Sequence, residues 1–219
     1  MEKIQIQNVT SLNEEILQFS RQHKNDPDFD AKFEMFLEQK SRWLKFFNVH
    51  YVANGRRGIW SFASRKSIPQ PGKPLVADAV VIIPLFKEDD NKYKLVTIRE
   101  YRIPLGSYEH SFPAGLYDHN ESAEEVARRE LKEETGLDLT KILHISPPVV
   151  SSAGLSDESV VYIICECTGN ISLAGNEETE DITVNIIDKD GVDNILQGSE
   201  PISARAYPFF YAYLSDCFF

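Results

Sequence analysis

Three glutamates, Glu130, Glu133 and Glu134, stand at i, i+3 and i+4, so a helix carrying them places all three on one face. Like charges at that spacing repel by about 0.2–0.5 kcal/mol per pair. They also fall in the C-terminal half of the expected helix, where the macrodipole disfavours anions. A hard dication among them relieves both penalties, and carboxylate oxygens suit magnesium or manganese. Arg129 precedes the first glutamate and can hold a carboxylate by a bidentate pair that fixes its direction. A run of acids on a helix is ordinarily a solvated face. Here the arginine, the flanking glycines and the spacing argue for a metal site instead.

The surrounding residues supply the element that must position this cluster. Ser122-Ala-Glu-Glu125 has capping-box form, so a helix starts at Ala123. Gly136 stands where a C-terminal glycine belongs. Between them Val126, Ala127 and Leu131 supply an apolar stripe. Gly115 lies upstream, separated by five residues from Glu121, which is followed after seven more by Arg129-Glu130-Leu131-Lys132-Glu133-Glu134-Thr135-Gly136-Leu137. This stretch resembles a complete Nudix box, GX5EX7REUXEEXGU with U apolar, and every fixed position is filled. The resemblance implies hydrolysis of a nucleoside diphosphate linked to another group, with magnesium or manganese as cofactor.

The 219-residue length suits one medium domain with an extension, and 42% apolar content is enough for a full core. No apolar run approaches the roughly 20 residues of a membrane span, and the N-terminus has no signal-peptide core. A soluble, cytoplasmic protein without a membrane role is the expectation. The net charge of −11 argues against broad binding to nucleic acid, whose phosphates need a basic surface. A small anionic substrate stays compatible, because a bound dication and local arginines reverse the sign inside a pocket. Cys165 and Cys167 alternate in an apolar run and should share one strand face, and Cys217 is remote. They read as free thiols. The five histidines have no metal-ligand spacing.

Residues 1–42 read as a helical extension, with Phe29, Phe33, Phe36 and Leu37 at helical spacing. Residues 43–72 read as a hairpin around Asn54-Gly55, to which the family resemblance assigns dimerisation and base binding. Residues 73–219 then carry strands near 75–86, 93–101, 108–112, 142–150, 158–167 and 182–187, the box helix, and helices near 190–198 and 203–215. The mixture predicts an α/β class: an α/β/α sandwich around a mixed sheet, which the family resemblance also implies.

Over residues 43–215 the chain is similar to the ADP-ribose and ADP-sugar pyrophosphatase branch of the family. Where the branch runs Q-Y-R and then E-x-P-A-G, this sequence has Glu100-Tyr101-Arg102 and Ser111-Phe112-Pro113-Ala114-Gly115. The resemblance implies that Arg102 binds a substrate phosphate and that the Ala114 carbonyl is a metal ligand. It implies that Trp43 and Trp60, the only tryptophans, sandwich the base from two subunits of a homodimer. It also implies that Glu178, in the acidic loop Gly175–Val184, activates the attacking water, with Glu177, Glu180 and Glu158 as competitors. Glu158 is expected on a loop facing the substrate. The sequence departs from the branch twice: Ser111 replaces the glutamate of E-x-P-A-G, and Ala153 stands at the spacing of the proline that marks ADP-ribose specificity.

The expected reaction is hydrolysis of an ADP-sugar, with ADP-ribose giving AMP and ribose 5-phosphate. Glu134 and Arg129 are catalytic alongside Glu178, and Glu130, Glu133, Glu134 and Ala114 are the metal ligands. Another nucleotide sugar or a dinucleotide is the alternative within enzymes. A non-catalytic ADP-ribose sensor is the alternative outside them, and such a protein would normally show a damaged box.

Overall fold

The computed structural model describes residues 32–41, 43–53, 56–69, 73–88, 92–118, 120–175 and 181–217. They fall into two compact units, one within Met1–Val76 and Val150–Glu158, the other within Ala77–Val149 and Ser159–Phe219.

The first unit is built on a three-stranded antiparallel sheet. Strands β1 (Lys32–Lys40), β2 (Lys45–Ala53) and β3 (Arg56–Ser64) lie in that order. The β2–β3 register closes at Ala53↔Arg56, as the hairpin reading of Asn54-Gly55 requires, although those two residues lie outside the described set. Phe47 and Phe62 sit opposite each other and stack with ring centroids 5.5 Å apart.

The helical extension expected over residues 1–42 is corrected over Lys32–Lys40, which form a strand paired with β2 from Lys32↔Val52 to Lys40↔Lys45. The segment KFEMFLEQK supports both periods: Phe33, Met35 and Leu37 alternate as in a strand, while Phe33, Phe36 and Leu37 fit a helix turn. The sheet decides, because β2 offers a row of backbone partners that no local preference for helix replaces. Residues 1–31, with the earlier part of the expected extension, lie outside the described residues.

The second unit is the expected α/β/α sandwich. Its central strands β4 (Ala79–Lys87), β5 (Tyr93–Arg102), β8 (Asp138–Ile145), β10 (Ser159–Thr168) and β11 (Ile182–Ile187) run in the order β11-β5-β4-β10-β8. Short strands β6 (Ser107–Ser111), β7 (Ala114–Leu116) and β9 (Val149–Val150) pair with β5, β4 and β10. β4 and β10 are parallel, whereas β10–β8, β11–β5, β4–β5, β4–β7 and β5–β6 are antiparallel, so the sheet is mixed. Strand alternation sorts the β4 side chains into two cores. Val80 and Ile82 join Val161, Ile163, Cys165 and Cys167 beneath helix α1 (Ala123–Thr135), which contributes Val126, Ala127 and Leu131. Ala79, Val81, Ile83 and Leu85 face the other way, toward Val192 of α2 (Lys189–Gln197) and Phe210 and Tyr213 of α3 (Tyr207–Leu214). A strand covered on both faces reads as a continuous apolar run, which is what AVVIIPLF is.

Cys165 and Cys167 share one face as expected, and burial pushes the Cys167 thiol up to about 12 and Cys165 higher still. Among the described residues no helix is long and apolar enough to cross a membrane.

Leu131 is fully buried under the sheet, so Leu131→Ala should cost about 2–5 kcal/mol through lost transfer energy and the cavity left behind. Urea unfolding should show a lower midpoint at unchanged slope. An unshifted midpoint would mean that α1 is not seated by this side chain.

Candidate active site

Helix α1 is fixed at both ends by its own residues. The Ser122 Oγ accepts the Glu125 N–H at 3.3 Å, and the Glu125 carboxylate accepts the Ser122 N–H at 2.7 Å. Gly136 terminates it at φ +78°, donating its N–H to the Lys132 carbonyl at 2.9 Å. A side chain there would be strained by the backbone and would also approach the Ser172 nitrogen to 2.4 Å. The glutamates therefore have a defined pitch and direction before any ligand is considered.

Arg129 is the centre of the cluster. Its Nε and Nη2 donate to the two oxygens of Glu121 at 3.0 and 2.9 Å, a bidentate pair. Its Nη1 donates to Glu130 Oε1 at 2.5 Å and to Glu133 Oε2 at 3.3 Å, and Nη2 also reaches the Leu116 carbonyl at 3.2 Å. One guanidinium thus ties the end of β7, the loop before the helix and the acidic face. Hydrogen bonding to Arg129 holds the Glu121 carboxyl down at about 2, and Glu121 and Glu130 in turn push Arg129 above its ordinary value. Glu121 fills a fixed position of the box, but its role as the bidentate partner, like that of the Leu116 carbonyl, was not legible from spacing alone.

Glu134 and Glu130 also lie against β7. Glu134 is only 6% exposed, and its Oε2 accepts the Ala114 N–H at 3.3 Å. A Cβ on Gly115 would stand 1.7 Å from Glu130 Oε1, so glycine is what allows this carboxylate to lie against the strand backbone. A Cβ on Gly175 would come within 2.9 Å of the Glu133 Cα, so the chain leading toward the acidic loop passes close to the helix. Residues 176–180, including Glu177, Glu178 and Glu180, lie outside the described residues.

The structure therefore brings together Arg129, Glu130, Glu133, Glu134 and Ala114. Arg102, on β5, is held by Glu109 at 2.9 Å and Glu100 at 2.7 Å. Trp43, Trp60 and Glu158 belong to the first unit. The two tryptophans are 61% and 49% exposed, which is not core packing. Glu158 accepts from Arg65 Nε at 3.1 Å. Ser111 is buried, its hydroxyl 3.4 Å from the Phe112 carbonyl, and it presents no carboxylate where the resemblance expected one.

The donor set fits a hard dication in chemistry and charge. Glu121, Glu130 and Glu133 surround the Arg129 guanidinium, Glu134 adds a fourth carboxylate, and the excess is negative. Among the described residues no three acidic, cysteine or histidine side chains already converge as a metal cage. Glu130 and Glu133 are turned toward Arg129 instead.

The depressed Glu121 pKa carries a sign. Its stabilisation is complete above the ordinary carboxylate value of about 4.3 and is lost as pH falls toward about 2. Thermal unfolding midpoints should thus drop less between about pH 5 and pH 2 in Glu121→Gln than in the parent. Parallel pH profiles would contradict the pairing.

Residues 76–200 match the family profile described as NUDIX domain. The chain is 30% identical over 169 residues to the protein named "Putative nudix hydrolase 2" of Caenorhabditis elegans, covering 73% of this chain and 74% of the relative. It is 34% identical over 122 residues to the ADP-sugar pyrophosphatase of Mus musculus, covering 55% and 54%. Over 85 residues it is 45% identical to ADP compounds hydrolase NudE of Escherichia coli, covering 36% and 43%. A solved structure of an ADP compounds hydrolase shares the fold at TM-score 0.63 and 22% identity, covering 84% of this chain and 91% of that one. With the box residues gathered around Arg129 on a mixed α/β/α sandwich, and with the family profile spanning more than half of its length, this chain belongs to the Nudix hydrolase family.

Proposed function

We propose that the protein hydrolyses the diphosphate of an ADP-sugar, with ADP-ribose cleaved to AMP and ribose 5-phosphate. The observation that carries this is the carboxylate cluster held by Arg129 against the Ala114-Gly115 backbone, in a chain similar to an ADP-sugar pyrophosphatase and an ADP compounds hydrolase. Glu130, Glu133, Glu134 and the Ala114 carbonyl are the residues that would hold magnesium or manganese. Such a dication, when bound, neutralises charge on phosphoryl oxygens and makes water a better nucleophile.

The protein's own residues do the rest. Arg129 keeps the carboxylates of Glu130 and Glu133 directed by hydrogen bonds that a lysine could not reproduce. Glu134 keeps its buried carboxylate in register with β7 through the Ala114 N–H. Glu178 accepts the proton of the attacking water. Arg102 grips a substrate phosphate in competition with Glu100 and Glu109, and Glu158 contacts the substrate from its loop. Trp43 and Trp60 offer exposed indole faces for stacking the base, with the two faces drawn from the two subunits of a homodimer. The dimer works in the cytoplasm, where Cys165 and Cys167 remain thiols. Hydrolysis of another nucleotide sugar or of a dinucleotide is the second reading, supported by buried Ser111 standing where the branch has a glutamate.

Incubation with ADP-ribose and magnesium should yield AMP, with no turnover in excess chelator. Glu134→Gln keeps an oxygen that can accept the Ala114 N–H, so it should fold normally while losing activity by about 10–100-fold or more. Full turnover in that variant, or with chelator, would refute the assigned site. A stacked base is worth about 1–3 kcal/mol, so Trp60→Ala should act mainly by raising KM. Light scattering should report twice the 25.0 kDa chain mass. A fully active monomer would refute the shared base site.

A further inference from the structure

Strand β6 ends at Ser111 beside β5, and β7 begins at Ala114 beside β4. Only Phe112 and Pro113 carry the chain across from one neighbour to the other. The Ala114 carbonyl therefore takes its direction from a two-residue crossing that lies outside both ladders. One tie comes from the sheet, where the Ile82 N–H donates to the Pro113 carbonyl at 2.8 Å. Another comes from α3, whose Phe209 and Phe210 meet the buried Phe112 ring edge-on, with centroids 6.1 and 5.6 Å away.

The chain that links α2 to α3 ties β6 as well. The His110 N–H donates to the Pro201 carbonyl at 2.8 Å and the Ser203 N–H to the His110 carbonyl at 2.9 Å, so His110 and Ile202 form a parallel bridge. Two backbone bonds alone are a weak hold on an irregular segment. Glu200 supplies the rest. Its two oxygens accept from Arg99 Nε at 2.7 Å and Nη2 at 2.5 Å, and His110 Nε2 stands 3.1 Å from its Oε2. Arg99 and His110 are direct cross-strand partners, so one carboxylate joins β5, β6 and the linker. Arg99 is itself braced 3.6 Å over the Tyr108 ring.

Hydrogen bonding to Arg99 holds the Glu200 carboxyl below its ordinary value, and burial holds the His110 imidazole below its own. The carboxylate is thus charged and the imidazole neutral near pH 7. His110 Nδ1 is buried with no hydrogen-bond partner among the described residues. A leucine at this position would avoid that cost, so what the imidazole adds is its contact with Glu200.

We infer that Glu200 is a positioning residue for the Ala114 carbonyl: joined to Arg99 and His110, it seats Pro201–Ser203 along β6 and fixes the crossing that presents this carbonyl beside the acidic face of α1. This rests on the proposed role of that carbonyl as a ligand of the dication. Val96 packs under α1, and strand alternation puts Arg99 on the opposite face of the sheet. Glu200 therefore acts through the backbone from His110 to Ala114 and not by touching the acids. Its effect falls on metal affinity and turnover, not on the binding of the base.

The test uses the full chain and begins without metal. In Glu200→Gln, amide hydrogen exchange at His110 and Ser203 should quicken by about fivefold, with exchange at Leu131 of α1 unchanged. Manganese affinity, read by electron paramagnetic resonance, should weaken by about threefold or more. The kcat for ADP-ribose should fall by a similar factor at near-constant KM. Lys189→Ala, which removes the 2.7 Å pair with Asp216 in the same helical layer, should change none of these. If Glu200→Gln does not fold, Arg99→Lys keeps the charge without the two-pronged contact and serves for every arm. Unchanged exchange would overturn the tie between the linker and β6. Faster exchange with unchanged manganese affinity would overturn its link to Ala114, and equal changes in Lys189→Ala would overturn the assignment to Glu200. A parent protein that binds no manganese would overturn the metal reading and the positioning role with it, while exchange would still decide the tie.

Discussion

Arg129 holds Glu121 with two hydrogen bonds and reaches Glu130 and Glu133 with another nitrogen, and the geometry of the site depends on that one guanidinium. Without it, acids on successive turns would repel and splay into solvent. Anchored to Glu121 and to the Leu116 carbonyl, the arginine fixes where the acidic face of α1 stands relative to β7. It supplies one positive charge to several negative ones, so order is achieved while the site stays electron-rich. A fully neutralised cluster would hold its shape equally well and attract no dication.

The sandwich exists to hold that helix against that strand. β4 is apolar on both faces because helices cover both, and its alternation sends Val80 and Ile82 to α1 while Val81 and Ile83 support the opposite layer. β7 pairs with β4 at Val81↔Ala114, so the strand that meets Glu130 and Glu134 is registered to the centre of the fold. Sheet register therefore becomes site geometry: a slip by one residue would turn Ala114 and Gly115 to the wrong faces. Gly115 makes the closest approach possible, since any Cβ would occupy the space of Glu130.

Much of this was legible in residue order, and the exceptions have physical causes. The capping box, the terminal glycine and the i, i+3, i+4 acids of α1 are local features, and a helix expresses them wherever it lies. The apolar run of β4 announced a strand, and the structure adds that it is buried on both faces. Lys32–Lys40 misled because its apolar residues satisfy two periods, and only pairing with β2 selects one. Glu121 as the partner of Arg129, and Arg65 as the partner of Glu158, join residues eight and 93 positions apart. Such pairings depend on how the chain is brought together. The same applies to Ser151–Glu158, which interrupts the second unit in sequence but bridges to β3 in space through Ser156 and Ala63.

The central claim is that the acidic face ordered by Arg129 is a divalent-metal site, and direct binding tests it without reference to any substrate. Titration with manganese, followed by electron paramagnetic resonance of the free ion, should show at least one site in the parent protein. Glu130→Gln and Glu133→Gln should each weaken it by about tenfold or more, whereas Arg102→Ala should leave it unchanged. Manganese affinity that is the same in the parent and in a protein carrying both glutamine substitutions would contradict the account.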